Sequence, residues 1–436
     1  MPISPFEERY KTGMNAVFEE QAKLDKWMAV EVALAKAHAA LGNIPKDAPS
    51  RIGSAASRVK AERVAEIEAQ IHHDLMAMVK ALSEQAGDAG KYVHLGATSY
   101  DIEDTATALI FIDALDILGK SLSALSARLK ELALSHRDTV CVGRTHGQHA
   151  VPTTYGMKFA LYYQELKRNE ERLRSARKRI AAGKMSGAVG TMATFGKDGP
   201  RIQRLVMKEL GLDEAKVTNQ VIQRDRHAEV LCCLALTAAM LEKIAKEIRN
   251  LQRTEILELS EGFGPKQVGS STMPHKRNPH KSERVCSLAR LVRANLATAI
   301  ENIALEHERD LTNSANERAI FGESFIAVDY MVNETAKILG SLVFYPENIK
   351  RNLEMTGGLI MAERVMIHLV DSGRMGRQEA HELVRELSQE AFSKKAHLRD
   401  ILTAREVLSR KEADSIFDYS TYTGQARKIV EEAVKD

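Results

Sequence analysis

The chain is poor in proline and in aromatic residues, with 10 prolines and 5% Phe, Trp and Tyr in 436 residues. So few prolines exclude a collagen-like or proline-rich chain and leave room for long uninterrupted helices. Its four cysteines, Cys141, Cys232, Cys233 and Cys286, form no Cys-x-x-Cys pair. That spacing excludes a zinc knuckle, a redox dithiol and a disulfide scaffold, and it fits inert thiols in a reducing cytoplasm. Charge of either sign is not in excess: 62 Lys and Arg face 59 Asp and Glu, a formal net of +3. A polyanion such as nucleic acid is therefore not the default partner. Long hydrophobic runs are also missing. The most apolar stretch, 230–241, is too short to span a bilayer, and Met1-Pro2-Ile3-Ser4-Pro5 lacks the basic flank and apolar run of a signal peptide. The expectation is a cytoplasmic protein with neither membrane nor nucleic acid as partner.

What is present is a globular composition, 44% apolar and 28% charged, on a chain long enough for a large core and for two to three domains. Glycine and proline are absent from 212–261 and 281–321, and only Gly119 interrupts 97–142. These stretches predict long helices. Phe159, Leu166, Leu173 and Ile180 recur every seven residues, as do Leu234, Leu241 and Ile248. That period marks helices packing along helices, and no βαβ alternation competes with it. The expected fold is all-α, in three helical domains: 1–96 N-terminal, 97–345 a central long-helix bundle, and 346–436 C-terminal. The basic run 167–184 is broken by Glu170 and Glu171 while Leu173 and Ile180 keep the core period, so it reads as a solvated helix face.

Three segments concentrate residues able to do chemistry. The first is the loop 262–279, which gathers glycine, proline, hydroxyls and cations between two helical stretches. It is longer than a bundle connection needs, which favours a lid or binding loop over a mobile linker. The second, 92–101, places His94, Thr98 and Ser99 before a long helix whose free N–H groups could hold an anion. The third, 143–149, places His146 and His149 before another. Either histidine segment read alone could equally be a capped turn. A metal site has no HExxH or regular ligand spacing to support it, despite His72-His73-Asp74 lying near Glu68. The Gly190-to-Asp198 run is not a P-loop, because its spacing is one residue too long and no Ser or Thr follows the lysine.

The run Ser270-Ser271-Thr272-Met273-Pro274-His275-Lys276-Arg277-Asn278-Pro279, preceded by Gly269, resembles the signature of the fumarase/aspartase superfamily. Its Met-Pro-His-Lys core is similar to the branch acting on adenylosuccinate, rather than to the Met-Pro-Gln-Lys or Met-Pro-Gly-Lys branches. The resemblance spans the chain, through Arg9-Tyr10, His73-Asp74, His94 to Asp101, Arg144 to His149, Gln220 to His227 and Glu306 to Arg318. It implies β-elimination of fumarate from adenylosuccinate, giving AMP, and from the succinylated aminoimidazole carboxamide ribotide. It also implies no cofactor and no metal, and a homotetramer whose sites each draw on three chains.

Residue by residue, the resemblance makes Ser270 the general base on a closing loop, with Ser271 its near rival, and His146 the acid that protonates the departing nitrogen. Lys276 would pair with a succinyl carboxylate and, with loop N–H groups, stabilise the serine alkoxide. Glu283 would hold the catalytic histidine in its tautomer. His94, Thr98 and Ser99 would meet the succinyl and phosphate ends. Arg9, Arg309, Arg318 and Ser314 would bind the phosphate, as guanidinium forks suit its oxygens. Gln220 would bond a carboxylate or the base, and Tyr10, His73, Asp74 and Asn278 complete the substrate-binding set. The chain departs from the family at Leu311-Thr312-Asn313, where Ile-Ser-His is usual, and at Arg284, where Asn is. A helical oligomer without activity is the reading from another class, and the presence together of Ser270, His146, Lys276 and Glu283 speaks against it.

Overall fold

Long helices dominate the structure, a computed structural model that describes residues 4–435; the Met1–Ile3 part of the leader reading lies outside them. Among the described residues there are 17 α-helices, one true β-hairpin and two pairings of two-residue strands. The all-α class is therefore the observed one. Five helices are long: Ser99–Ser135, Tyr155–Ile180, Asp225–Leu251, His280–Glu301 and Ser314–Gly340. Every residue of the two seven-residue series is buried, Phe159 and Leu166 as much as Leu234 and Leu241.

Two expected helical stretches are interrupted where glycine and proline gave no warning. Between the helices ending at Glu301 and beginning at Ser314 the backbone turns, because polar side chains capture its donors. Asp310 accepts the N–H groups of Glu306 and Thr312, at 2.6 and 2.7 Å, and Asn302 and Asn316 exchange amide hydrogen bonds. Likewise 212–261 becomes helical only from Asp225: Asn219 takes the N–H of Val221, and Asp104 that of Ile222. A third difference is the hairpin Val140–Thr145 with Gln148–Thr154, in place of helix reaching Val142 and a second helix from near Pro152. Its valines and threonines favour a pleated strand, where β-branched side chains lose little freedom.

The chain forms two compact units, and each takes part of every long helix. Unit 1 comprises 1–122, 169–239 and 287–333. Its core joins Leu24, Trp27, Leu34, Leu75 and Met78 of the N-terminal helices to Ile202 and Val206 of the Gly199–Leu210 helix. Phe111 packs edge-on against Phe321 and Phe325, and His227 stacks on Phe321. Burial drives the His227 pKa down to about 3, so it is a neutral core residue. Arg224 crosses this core paired with Asp104 and Glu317, both at 2.9 Å.

Unit 2 comprises 123–168, 240–286 and 334–436. Glu258, wholly buried, is held by Arg144 at 2.5 Å, by the Tyr155 hydroxyl at 2.5 Å and by the Asn352 amide at 2.9 Å. A buried carboxylate survives only with its lone pairs so occupied. Arg144, two residues before His146, is thereby fixed, and the hairpin base with it.

Candidate active site

The first group of candidate residues lies within unit 1, where the first turns of three helices meet. His73 and Asp74 open the Asp74–Ala86 helix, Ser99 the Ser99–Ser135 helix and Ser314 the Ser314–Gly340 helix. They line a recess of about 400 Å³ together with Arg309 and Arg318. Helix starts carry the positive end of the backbone dipole, which with Arg309 and Arg318 offsets the carboxylates of Glu68, Asp74 and Glu103 in the same lining.

The arginines are positioned rather than loose. Arg318, one turn after Ser314, donates to Asp74 Oδ2 at 2.5 Å. Burial would raise the Asp74 pKa, but the Arg318 bond and the Leu75 N–H outweigh it and hold the carboxyl below its usual value. Arg309 lies 3.6 Å from the Tyr100 ring centroid and donates to Gln220 Oε1 at 2.9 Å. Gln220 thus braces an arginine of the recess. The buried Arg309 Nε has no partner among the described residues.

His94 stands nearby in sequence but has its own support. Its backbone is left-handed, with φ 62°, and its N–H and Nδ1 both meet the buried Glu31, at 2.9 and 2.7 Å. Burial pulls the His94 pKa down, yet the Glu31 bond and the charges of Glu31 and Asp101 prevail and raise it. Thr98 donates its N–H to Asp101 at 2.9 Å, capping the helix that begins at Ser99. Asp101 in turn is buried against Lys184. Arg9 and Tyr10 are not among the lining of the recess: Arg9 is exposed, and the Tyr10 ring packs edge-on against Tyr330 at 5.2 Å.

The remaining candidates belong to unit 2. His146 and Gly147 form a two-residue hairpin turn with φ 52° and 75°. Two positive φ values are the geometry that matches strand twist, and His146 pays a strain that an asparagine or glycine would avoid. The turn leaves His146 exposed. Glu283 is also exposed, in the first turn of the His280–Glu301 helix, and it makes no hydrogen bond to His146 among the described residues.

The signature loop is held by its own backbone. Ser270 Oγ accepts the N–H groups of Met273 at 3.0 Å and Thr272 at 3.4 Å, whereas Ser271 Oγ faces the Thr272 hydroxyl at 3.5 Å. Asn278 donates to the Gly269 carbonyl at 2.9 Å, closing the loop across its neck. A Cβ on Gly269 would lie 2.1 Å from the Lys276 carbonyl oxygen, so only glycine fits there. Lys276 itself is exposed.

Several supporting residues were not singled out from the sequence. Gln252 accepts the Glu261 N–H and donates to the Arg277 carbonyl, both at 3.0 Å, so one amide ties the two stems of the loop. Glu261 Oε1 accepts the N–H and hydroxyl of Ser282, at 2.6 and 2.5 Å, on the far side. Glu261 and Ser282 bracket the loop in sequence, which is the signal that could have found them. Glu31 and Tyr100 carried no such signal, since their partners are distant in sequence or ordinary in type.

The all-α architecture, together with the comparisons that follow, makes the chain a lyase of the fumarase/aspartase class. The lyase family model matches residues 8–293, and a model described as adenylosuccinate lyase C-terminus matches 358–433. The adenylosuccinate lyase of Pyrococcus abyssi (strain GE5 / Orsay) is 55% identical over 100% of this chain and 98% of that one. That of Bacillus subtilis (strain 168) is 42% identical over 97% of each. Among solved structures, a fumarate lyase from Mesorhizobium sp. BNC1 superposes with a TM-score of 0.89 at 32% identity, covering 97% of both chains. The 3-carboxy-cis,cis-muconate lactonizing enzyme from Pseudomonas putida gives 0.91 at 34%, covering 98% of both. The chain belongs to the adenylosuccinate lyase family.

Proposed function

We infer that this chain is a C–N lyase that eliminates fumarate from adenylosuccinate, leaving AMP, and from the succinylated aminoimidazole carboxamide ribotide. The observation that carries the reading is the recess, where helix starts, Arg309, Arg318 and Ser314 offer a nucleotide phosphate its donors. The C-terminal match at 358–433 supports this branch over other members of the class.

In the proposed mechanism Ser270 takes a proton from the succinyl carbon beside a carboxylate, and the electron pair moves into that carboxylate before the C–N bond breaks. The N–H groups of Met273 and Thr272 favour an alkoxide at Ser270 over one at Ser271. Lys276 neutralises the carboxylate charge, and His146 delivers a proton to the leaving nitrogen. Glu283 orients the histidine, while His94, made more basic by Glu31, binds the succinyl end with Thr98. Ser99, Ser314, Arg309 and Arg318 hold the phosphate, with Arg9, Tyr10, His73, Asp74, Gln220 and Asn278 in supporting contact. This chemistry asks for no cofactor or metal.

We propose further that the sites are shared in a cytoplasmic homotetramer. His146 and Glu283 are exposed and unbonded to one another within the chain, and Leu161, Leu236 and Ile300 leave apolar area open on long helices. Both features fit association. No helix among the described residues is long and apolar enough to cross a membrane. Purified protein should release fumarate from adenylosuccinate and from the ribotide but not from argininosuccinate. Release from argininosuccinate alone would overturn the assignment, and full activity from a monomer in light scattering would overturn the shared sites.

A further inference from the structure

Glu103 lies one helical turn beyond Ser99 on the same face, as Arg318 does beyond Ser314. It lines the recess and also the adjoining cavity of about 280 Å³ bounded by Trp27 and Phe321. Its carboxyl forms no hydrogen bond or ion pair among the described residues, although Arg309 and Arg318 line the same recess. Glu103 is half-buried, and neither arginine of the recess has claimed its carboxylate. Arg318 is instead committed to Asp74, and Arg309 to Gln220 and the Tyr100 ring.

We propose that Glu103 is a further nucleotide-binding residue, entering the complex as a neutral carboxylic acid whose O–H donates to an oxygen of the 5′-phosphate. This rests on the nucleotide reading of the recess given above. An ionised Glu103 would place a negative charge against a dianion in a half-buried recess, a repulsion that the acid form removes while adding a donor.

The surroundings favour the acid form. Burial, then the charges of Asp74 and Asp104, push the Glu103 pKa up to about 8, and Arg318 and Arg309 only partly offset them. The other ionisable groups around these cavities are Tyr100 on its own helix, Glu68, His72 and His73 beside Asp74, Glu20 and Lys23 on the Glu20–Ala40 helix, Arg224, and Glu317 beside Arg318. Tyr100 is pushed up to about 12 by burial and by Glu103 and Asp104, so it does not ionise in the range that matters.

A bound phosphate raises the Glu103 pKa further, so above about pH 8 AMP binds with uptake of a proton, and its affinity falls about tenfold per pH unit. Below that pH Glu103 is already neutral and contributes no slope. The test is calorimetric titration of the assembled enzyme with AMP between pH 7 and 9.5, in buffers of different ionisation enthalpy. Wild type should take up close to one proton per AMP near pH 9, and Glu103→Gln, whose amide donates at every pH, should lose that uptake and show a flatter affinity. Adenosine, lacking the phosphate, should bind without uptake in either protein. Wild type showing no uptake, or uptake that persists in Glu103→Gln, overturns the proposal while leaving the nucleotide site standing. AMP failing to bind at any pH removes the nucleotide reading and this proposal with it.

Discussion

The two units of the chain prepare their candidate residues in opposite ways. In unit 1 the two recess arginines and His94 are already braced: Arg318 by Asp74, Arg309 by Tyr100 and Gln220, His94 by Glu31. In unit 2 the chemistry-bearing groups are presented bare, His146 at a hairpin tip, Glu283 on an exposed helix start and Ser270 in a loop whose contacts are largely its own backbone. Rigid bracing lowers the ordering cost of binding a ligand, whereas acid and base groups need their final geometry only in the closed complex. Under the proposed mechanism the contrast predicts that substrate affinity depends on unit 1 and turnover on unit 2, and substitutions should divide accordingly.

The largest effects belong to unit 2. Ser270→Ala and His146→Ala should each lower kcat by about two to four orders of magnitude, the usual worth of a general base or acid, with substrate affinity kept. Steady-state kinetics paired with substrate binding checks this, and a loss carried by KM instead would erase the distinction between the units. Ser271→Ala should cost far less than Ser270→Ala. Equal losses would move the base assignment away from the hydroxyl that the two N–H groups address.

In unit 1 the effect should appear in KM. Arg318→Ala removes a charged donor to phosphate and leaves Asp74 unpaired, which by the usual 1.5–3 kcal/mol for such bonds raises KM about 10- to 100-fold. With kcat held within a few-fold, the division of labour stands. A fall in kcat of the same size would mean that the recess takes part in the chemical step.

Gln252 tests whether the bare groups of unit 2 depend on a hidden brace. Gln252→Ala cuts the amide that ties both stems of the loop, at Glu261 and at Arg277. We expect kcat down about tenfold, one or two hydrogen bonds' worth of mispositioning, with faster proteolysis confined to 262–279. Unchanged kinetics would show that the Glu261–Ser282 bonds suffice to hold the loop.

How much of this was legible beforehand follows the physics of each signal. Seven-residue apolar spacing exposed the long helices because burial repeats along them. The breaks at 302–313 and before Asp225 were illegible because Asp310, Asn219 and the distant Asp104 took over backbone donors without any glycine or proline. His73, Asp74, Ser99, Arg309, Ser314 and Arg318 of the recess were readable through motif resemblance and Glu103 was not, and their convergence at three helix starts is a fact of tertiary packing. Braces such as Glu31 and Gln252 escaped because an acidic or amide side chain on a helix ordinarily faces water.

Glu31 offers the smallest and most local test of the contrast. Glu31 keeps the His94 pKa above its ordinary value, against the burial that would lower it. Glu31→Gln retains the shape and one acceptor but removes the charge, so the His94 titration, followed by NMR, should move to lower pH. The sign also fixes a stability effect. With its folded pKa raised, His94 contributes stability that is complete below its unfolded value near 6.5 and disappears as pH rises through the folded value. The cost of Glu31→Gln to thermal stability should therefore be larger at pH 6 than at pH 9, as wild type loses this contribution on its own at the higher pH. A cost independent of pH would make Glu31 a packing residue, and a unit 1 brace would then be steric where electrostatics was expected.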